Sequence, residues 1–66
     1  MSEDASDRVD RATVIRLLKR LDGFARGLGL DEATARQIAE EVAADIPFGP
    51  DGERLVEARK RMLTAT

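Results

Sequence analysis

Three carboxylates, Glu40, Glu41 and Asp45, have a spacing in this 66-residue sequence that could support acid–base or metal chemistry. Glu41 and Asp45 lie one helical turn apart, so both side chains could approach one divalent cation. Acid–base work by such a pair would need a pocket that separates the two pKa values. No D-x-[DN]-x-[DN]-G calcium loop surrounds them. We therefore interpret the three carboxylates as the solvated face of a helix.

The remaining inventory of reactive side chains is small. The sequence contains no His, Cys, Tyr or Trp, and its serines, Ser2 and Ser6, have no imidazole to activate them. A disulfide and a zinc site of ordinary type are excluded by the same composition. The glycine-rich stretch GFARGLG lacks the Lys-Ser/Thr pair of a phosphate loop. The sequence predicts a protein that is not an enzyme and that holds no cofactor or metal.

The net charge of −2 conceals an uneven distribution along the chain. Residues 8–26 carry six basic and two acidic side chains, whereas residues 31–45 carry five acidic and one basic. Arg16, Lys19 and Arg20 are therefore candidates for contact with an acidic partner or a phosphate backbone. The favoured interpretation is different, because the basic residues are scattered around their helix. It is an antiparallel hairpin whose basic and acidic flanks attract each other weakly.

The stretch DIPFGPDGER, residues 45–54, contains both prolines and the later phenylalanine. Pro47 disfavours helical geometry at the residue before it, and Pro50-Asp51-Gly52 is typical of a chain reversal. Neither role explains Phe48. The favoured interpretation is an apolar anchor that plugs one end of the core. The alternative is an exposed aromatic side chain that is presented to a partner.

Apolar spacing predicts a first helix from about Asp7 to Arg26. Ser6 or Asp7 could cap its beginning, and Gly27 or Gly29 could adopt the left-handed conformation that ends it. Its core-facing stripe is Val14, Leu17, Leu18, Leu21, Phe24, Ala25 and Leu28.

Two further helices are predicted after it. The second has Asp31 as its N-cap and ends near Asp45, and its buried face is rich in alanine. The third is expected to have Asp51 as its cap and to run through about Leu63. The core residues expected from these two helices are Ala35, Ile38, Ala39, Val42, Ile46, Leu55, Ala58 and Met62.

The predicted fold is therefore all-α: a small three-helix domain in which a helical hairpin is joined by a third short helix. It spans residues 8–66 and follows a disordered, acidic tail of residues 1–7. A domain of this size buries only about 60% of its unfolded surface. Without a disulfide or a metal, its stability must come from helix packing, a second copy of the chain or another protein.

Some large apolar residues lie outside the predicted core stripes. Ile15, Val56 and Leu63 add apolar surface that three short helices would not cover. We therefore expect a homodimer at tens of micromolar. The candidate partner-binding residues are Ile15, Arg16, Lys19, Arg20, Phe48, Val56 and Leu63.

These observations favour a small non-catalytic protein-binding module, an accessory subunit, adaptor or regulator that acts through its helix surfaces. One alternative is a dimeric nucleic-acid-binding transcriptional regulator or antitoxin. Another is a minor subunit of an enzyme whose active site lies on a partner chain. Negative net charge and the lack of stacking aromatics argue against tight binding to DNA or RNA. No membrane span and no secretory signal is recognised, so a cytoplasmic location is expected.

Overall fold

The computed structural model describes residues 11–66, which form three helices. These are α1 (Arg11–Leu28), α2 (Glu32–Asp45) and α3 (Asp51–Ala65). The prediction of an all-α three-helix domain is confirmed. The predicted tail of residues 1–7, the start of the first helix at Asp7 and its cap lie outside the described residues.

The apolar stripes of the three helices meet in one core, as their spacing predicts. The largest fully buried side chains are Leu17, Leu21, Val42 and Met62. Buried alanines occupy all three helices, so the helix axes can approach closely around these larger side chains. The other buried apolar residues are Val14, Ala25, Ala35, Ile38, Ala39, Ala43, Leu55 and Ala58.

The end of α1 resolves the choice between its two candidate glycines. Gly29 has a φ of +79°, whereas Gly27 is still helical. The backbone N–H of Leu30 donates to the carbonyl of Ala25, and that of Gly29 donates to the carbonyl of Arg26, both at 3.0 Å. This pattern is the Schellman motif, in which the residue after the C-cap adopts the left-handed conformation. The helix therefore runs two residues beyond the predicted end at Arg26.

The start of α2 confirms Asp31 as its N-cap. The carboxylate of Asp31 accepts a hydrogen bond of 2.9 Å from the backbone N–H of Thr34. Hydrogen bonding to Thr34 also holds the pKa of Asp31 below its usual range. We call residues 29–31, which join α1 to α2, the first connector.

The segment between α2 and α3, residues 46–50, is the second connector. The last residue of α2 is Asp45, as predicted, because Ile46 before the proline has non-helical φ and ψ of −123° and 74°. The predicted cap of α3 is wrong. Pro50 is the N-cap and makes no side-chain hydrogen bond, while the carboxylate of Asp51 binds two arginines instead.

Two contacts fix the relative direction of α1 and α3. Arg16 pairs with Asp51, and the guanidinium of Arg59 lies over the ring of Phe24. Both pairs join residues 35 positions apart, so the two helices run parallel in constant register. Among the described helices, none combines the length and apolar character that crossing a bilayer requires.

Candidate functional site

Phe48 lies in the second connector with 85% of its surface exposed. The prediction that it plugs the core is therefore wrong. Leu17, Leu21 and Met62 already fill the centre of the bundle. The space beneath the connector is occupied by Arg54, an arginine that sequence analysis did not select.

The guanidinium of Arg54 holds the second connector on the bundle. Arg54 is only 6% exposed, and its Nε donates to the carbonyl of Ile46 at 2.8 Å. Its Nη2 donates to the carbonyl of Pro47 at 3.1 Å, and its Nη1 donates to Asp51 Oδ1 at 2.7 Å. The planar fork of one arginine thus satisfies two connector carbonyls and one carboxylate. The backbone on the N-terminal side of Phe48 is anchored by these bonds.

Asp51 extends this network to α1. Its Oδ2 accepts from Arg16 Nε at 2.9 Å, and Arg16 Nη2 donates to the buried hydroxyl of Thr13 at 3.1 Å. The hydrogen bond from Arg16, followed by that from Arg54, holds the pKa of Asp51 below its usual range. The carboxylate is therefore charged at neutral pH, and it links α1, α3 and the connector.

The connector turns at Gly49, whose φ of +110° is a conformation that L side chains rarely adopt. A recess of about 330 Å³ lies beside Phe48. Its walls are Thr13, Arg16, Ala43, Pro47, Phe48, Gly49, Asp51 and Arg54.

The charged groups of this recess, Arg16, Asp51 and Arg54, are paired with one another, so these ion pairs fix the geometry of their side chains. No histidine or cysteine exists to act as a base or nucleophile. Beside this recess, the ring of Phe48 is exposed on a short connector whose backbone carbonyls accept hydrogen bonds from Arg54.

A second groove, of about 530 Å³, lies between α2 and α3. Arg61 lines it and donates to Asp45 at 2.7 Å and to Glu57 at 3.0 Å. These two hydrogen bonds raise the pKa of Arg61. Asp45, considered above as a metal ligand, is thus an ion-pair partner. Within residues 11–66, no group of three or more acidic, histidine or cysteine side chains is placed to hold a metal ion.

Among the described residues, no ion pair joins the basic flank of α1 to the acidic flank of α2, and their weak attraction stays a prediction. Within residues 11–66, the interhelical ion pairs join α1 to α3, through Arg16 and Asp51, and α2 to α3, through Asp45 and Arg61. The basic first helix and the acidic second helix are thus both paired with α3. The reason is that α3 carries charges of both signs on the sides that face its neighbours.

The structure divides the predicted partner-binding residues among three places. Arg16 lines the recess beside Phe48. Arg20 is one helical turn from Arg16, and Val56 and Leu63 are each one turn from Arg59, so helical spacing places all three on the side where α1 borders α3.

The other two predicted residues, Ile15 and Lys19, lie elsewhere on α1. Ile15 is 51% exposed and lies one helical turn from Leu18, which borders a recess formed with α2. Lys19 follows Ile15 by one turn and is exposed on the same side. The predicted set is therefore not one continuous surface.

Arg54 is not among the residues predicted above, although the sequence carries a signal for it. Arg54, Ala58 and Met62 are spaced by four residues, so the arginine belongs to the buried stripe of α3. An arginine on a buried stripe requires acceptors, and the adjacent connector supplies backbone carbonyls.

Comparisons of this chain with protein-family models, with curated proteins and with solved structures found no match.

Proposed function

We propose that this chain is a small, non-catalytic protein-binding module that uses Phe48 as its anchor. The observation that carries the proposal is a phenylalanine, 85% exposed, on a connector whose backbone is held by the buried Arg54. An aromatic side chain that is 85% exposed contributes little to the core. Buried in a partner's pocket, it would add a large apolar contact area.

The arrangement also lowers the conformational cost of binding. A flexible connector would lose backbone entropy on association, whereas a connector already held by hydrogen bonds loses less. The charged groups beside the ring, Arg16 and Asp51, form a polar rim around an apolar centre. These features support a partner surface with an apolar pocket that accepts one phenyl ring.

The decisive experiment compares the intact chain with Phe48→Ala in affinity capture from lysate of the source organism. We expect Phe48→Ala to melt within a degree or two of the parent, because the ring is outside the core, and to lose the captured protein. Ile15→Ala is the matched control, since it removes an exposed apolar side chain elsewhere. It should retain capture.

The outcomes separate the three functional hypotheses. Capture that disappears after nuclease treatment would favour the dimeric nucleic-acid-binding regulator. A captured enzyme whose activity depends on this chain would favour the minor-subunit hypothesis. A Phe48→Ala chain that captures the same proteins as the parent would contradict the anchor. Homodimerisation and a cytoplasmic location stay predictions from the sequence.

A further inference from the structure

A second exposed surface lies away from the recess, along the boundary of α1 and α3. On α1, Arg16, Arg20, Gly23 and Gly27 are separated by four, three and four residues, which places them on one stripe. Arg16 identifies this stripe as the one bordering α3. A Cβ atom added at Gly23 or Gly27 would meet nothing within 4 Å, so the surface above both glycines is open.

The adjoining stripe of α3 contains apolar side chains that are not packed in the core. Val56 and Leu63 are each 56% exposed and lie two helical turns apart. Arg59 lies between them, with its guanidinium 5.9 Å from the centre of the Phe24 ring. This contact holds the arginine over the junction of the two helices.

The parallel register brings the two stripes side by side. Because Arg16 is level with Asp51 and Phe24 with Arg59, the glycines of α1 lie beside the second half of α3. Because glycines project no side chain, the surface of α1 is open there. We call this surface the α1–α3 face, and its members are Arg20, Gly23, Gly27, Val56, Arg59 and Leu63.

The charge of the α1–α3 face is positive. Within the described part of the chain, neither Arg20 nor Arg59 forms an ion pair with a carboxylate. We propose that this face binds an acidic amphipathic helix of another protein. Apolar side chains of that helix would contact Val56 and Leu63 beside the two glycines, and its flanking carboxylates would meet the two arginines.

A second copy of the chain fits this face poorly. A two-fold dimer through the α1–α3 face would bring each arginine towards like charges of the other copy. The acidic helix α2 of another copy offers carboxylates, but its exposed residues include no large apolar side chain. They are Glu32, Ala33, Arg36, Gln37, Glu40, Glu41, Ala44 and Asp45.

Nucleic acid also fits less well than an acidic helix. A phosphate backbone would satisfy Arg20 and Arg59, but it would leave Val56 and Leu63 against charged oxygens. The apolar half of the face is thus explained only by a partner that has an apolar side of its own.

The test uses two synthetic amphipathic peptides of about 18 residues, or five helical turns. Both carry leucine at the i, i+3, i+4 and i+7 positions, with glutamate elsewhere in one and lysine elsewhere in the other. Each is titrated into the isotope-labelled full chain and followed by amide chemical shifts. We expect saturable shifts confined to the α1–α3 face with the glutamate peptide, and none with the lysine peptide.

Charge reversal sharpens the test. Arg20→Glu combined with Arg59→Glu should weaken binding of the glutamate peptide at least about tenfold. Lys19→Glu combined with Arg36→Glu changes the net charge equally at exposed positions off the face and should leave the affinity unchanged. Phe48→Ala should also bind normally, which distinguishes this proposal from the Phe48 anchor. Circular dichroism checks that each variant is folded.

Several results would overturn the proposal. They are equal binding of both peptides, no saturable binding, or shifts centred on the second connector. A DNA duplex that shifts the same residues would assign the face to nucleic acid, and concentration-dependent shifts without peptide would assign it to a second copy. Shifts on the face after Glu3→Gln, Asp4→Asn and Asp7→Asn would assign it to the chain's own acidic N-terminal segment.

Discussion

The two connectors of this domain are held in place by different kinds of interaction. The first is closed by its own backbone and by a carboxylate that accepts from a backbone N–H three residues away: Gly29 ends α1, and Asp31 caps α2. The second is held by Arg54, which reaches back seven and eight residues to the carbonyls of Pro47 and Ile46. Local bonds close one connector, and a tertiary contact from α3 holds the other.

This difference accounts for what each connector presents to solvent. The first directs Leu30 against the core, so its apolar residue is used for stability. The second also packs Ile46 against the core, but the space beneath it holds Arg54, and Phe48 is exposed. A connector that is held by a remote side chain can expose an apolar residue without losing its shape, which is what a binding element requires.

The largest expected effect is at Arg54. Arg54→Ala removes the donors to two connector carbonyls and to Asp51, and we expect it to destabilise the fold by about 2–3 kcal/mol. Urea unfolding followed by circular dichroism measures this change. The amide signals of Phe48 and Gly49 should also broaden or move towards random-coil positions.

Arg54→Lys is the matched variant for this prediction. A lysine keeps the charge beside Asp51 but lacks the rigid fork that reaches two carbonyls together. It should recover part of the stability and leave the connector mobile. Unchanged connector signals in Arg54→Ala would show that the second connector, like the first, is held by local bonds.

An intermediate effect is expected at Gly29 in the first connector. Gly29→Ala should destabilise the fold by about 1–2 kcal/mol, because alanine is strained at a φ of +79° although space for its methyl group exists. Gly27→Ala is the control, since Gly27 is helical and equally unobstructed. It should stabilise the chain by about 0.5–1 kcal/mol. Thermal unfolding of both variants measures the contrast, and equal effects would be evidence against the Schellman assignment.

The smallest expected effect is a pH dependence of the second connector. The pKa of Asp51 is lower in the folded chain, so its contribution to stability is present above the ordinary value near 3.8. That contribution is lost as pH falls through the folded pKa. The Tm difference between the parent and Asp51→Asn should therefore be largest near neutral pH and should shrink as the pH falls into the acid range. A difference that is constant with pH would exclude an electrostatic role for Asp51.

Much of the fold could be predicted from the sequence, because its signals are local. Helical spacing identified the stripes around Leu17, Leu21 and Met62, and Pro47 and Asp31 marked the limits of α2. The choice between Gly27 and Gly29 was left open, since either glycine can adopt a positive φ at the same cost. Only the observed hydrogen bonds decide between them.

The candidate site was predictable only in part. Phe48 was identified as the one connector residue without a local role, but its burial depends on which side chain fills the space below it. Arg54 fills that space, where the carbonyls of Ile46 and Pro47 accept its hydrogen bonds. The spacing of Arg54 places it on the buried stripe of α3, but the exposure of Phe48 depends on three-dimensional packing.

The sequence by itself determined three helices, the composition of their core and the absence of histidine and cysteine chemistry. These properties follow from periodicity, caps and composition, which act over a few residues. The tertiary structure decided that Phe48 is exposed, that Asp51 binds arginines instead of capping α3, and that Arg20 and Arg59 share one face. The exposure of Phe48 depends on Arg54, which fills the space beneath the connector. The Arg16–Asp51 pair and the shared face of Arg20 and Arg59 depend on how α1 and α3 are placed relative to each other, because these residues are distant in the chain and become neighbours only when the helices pack.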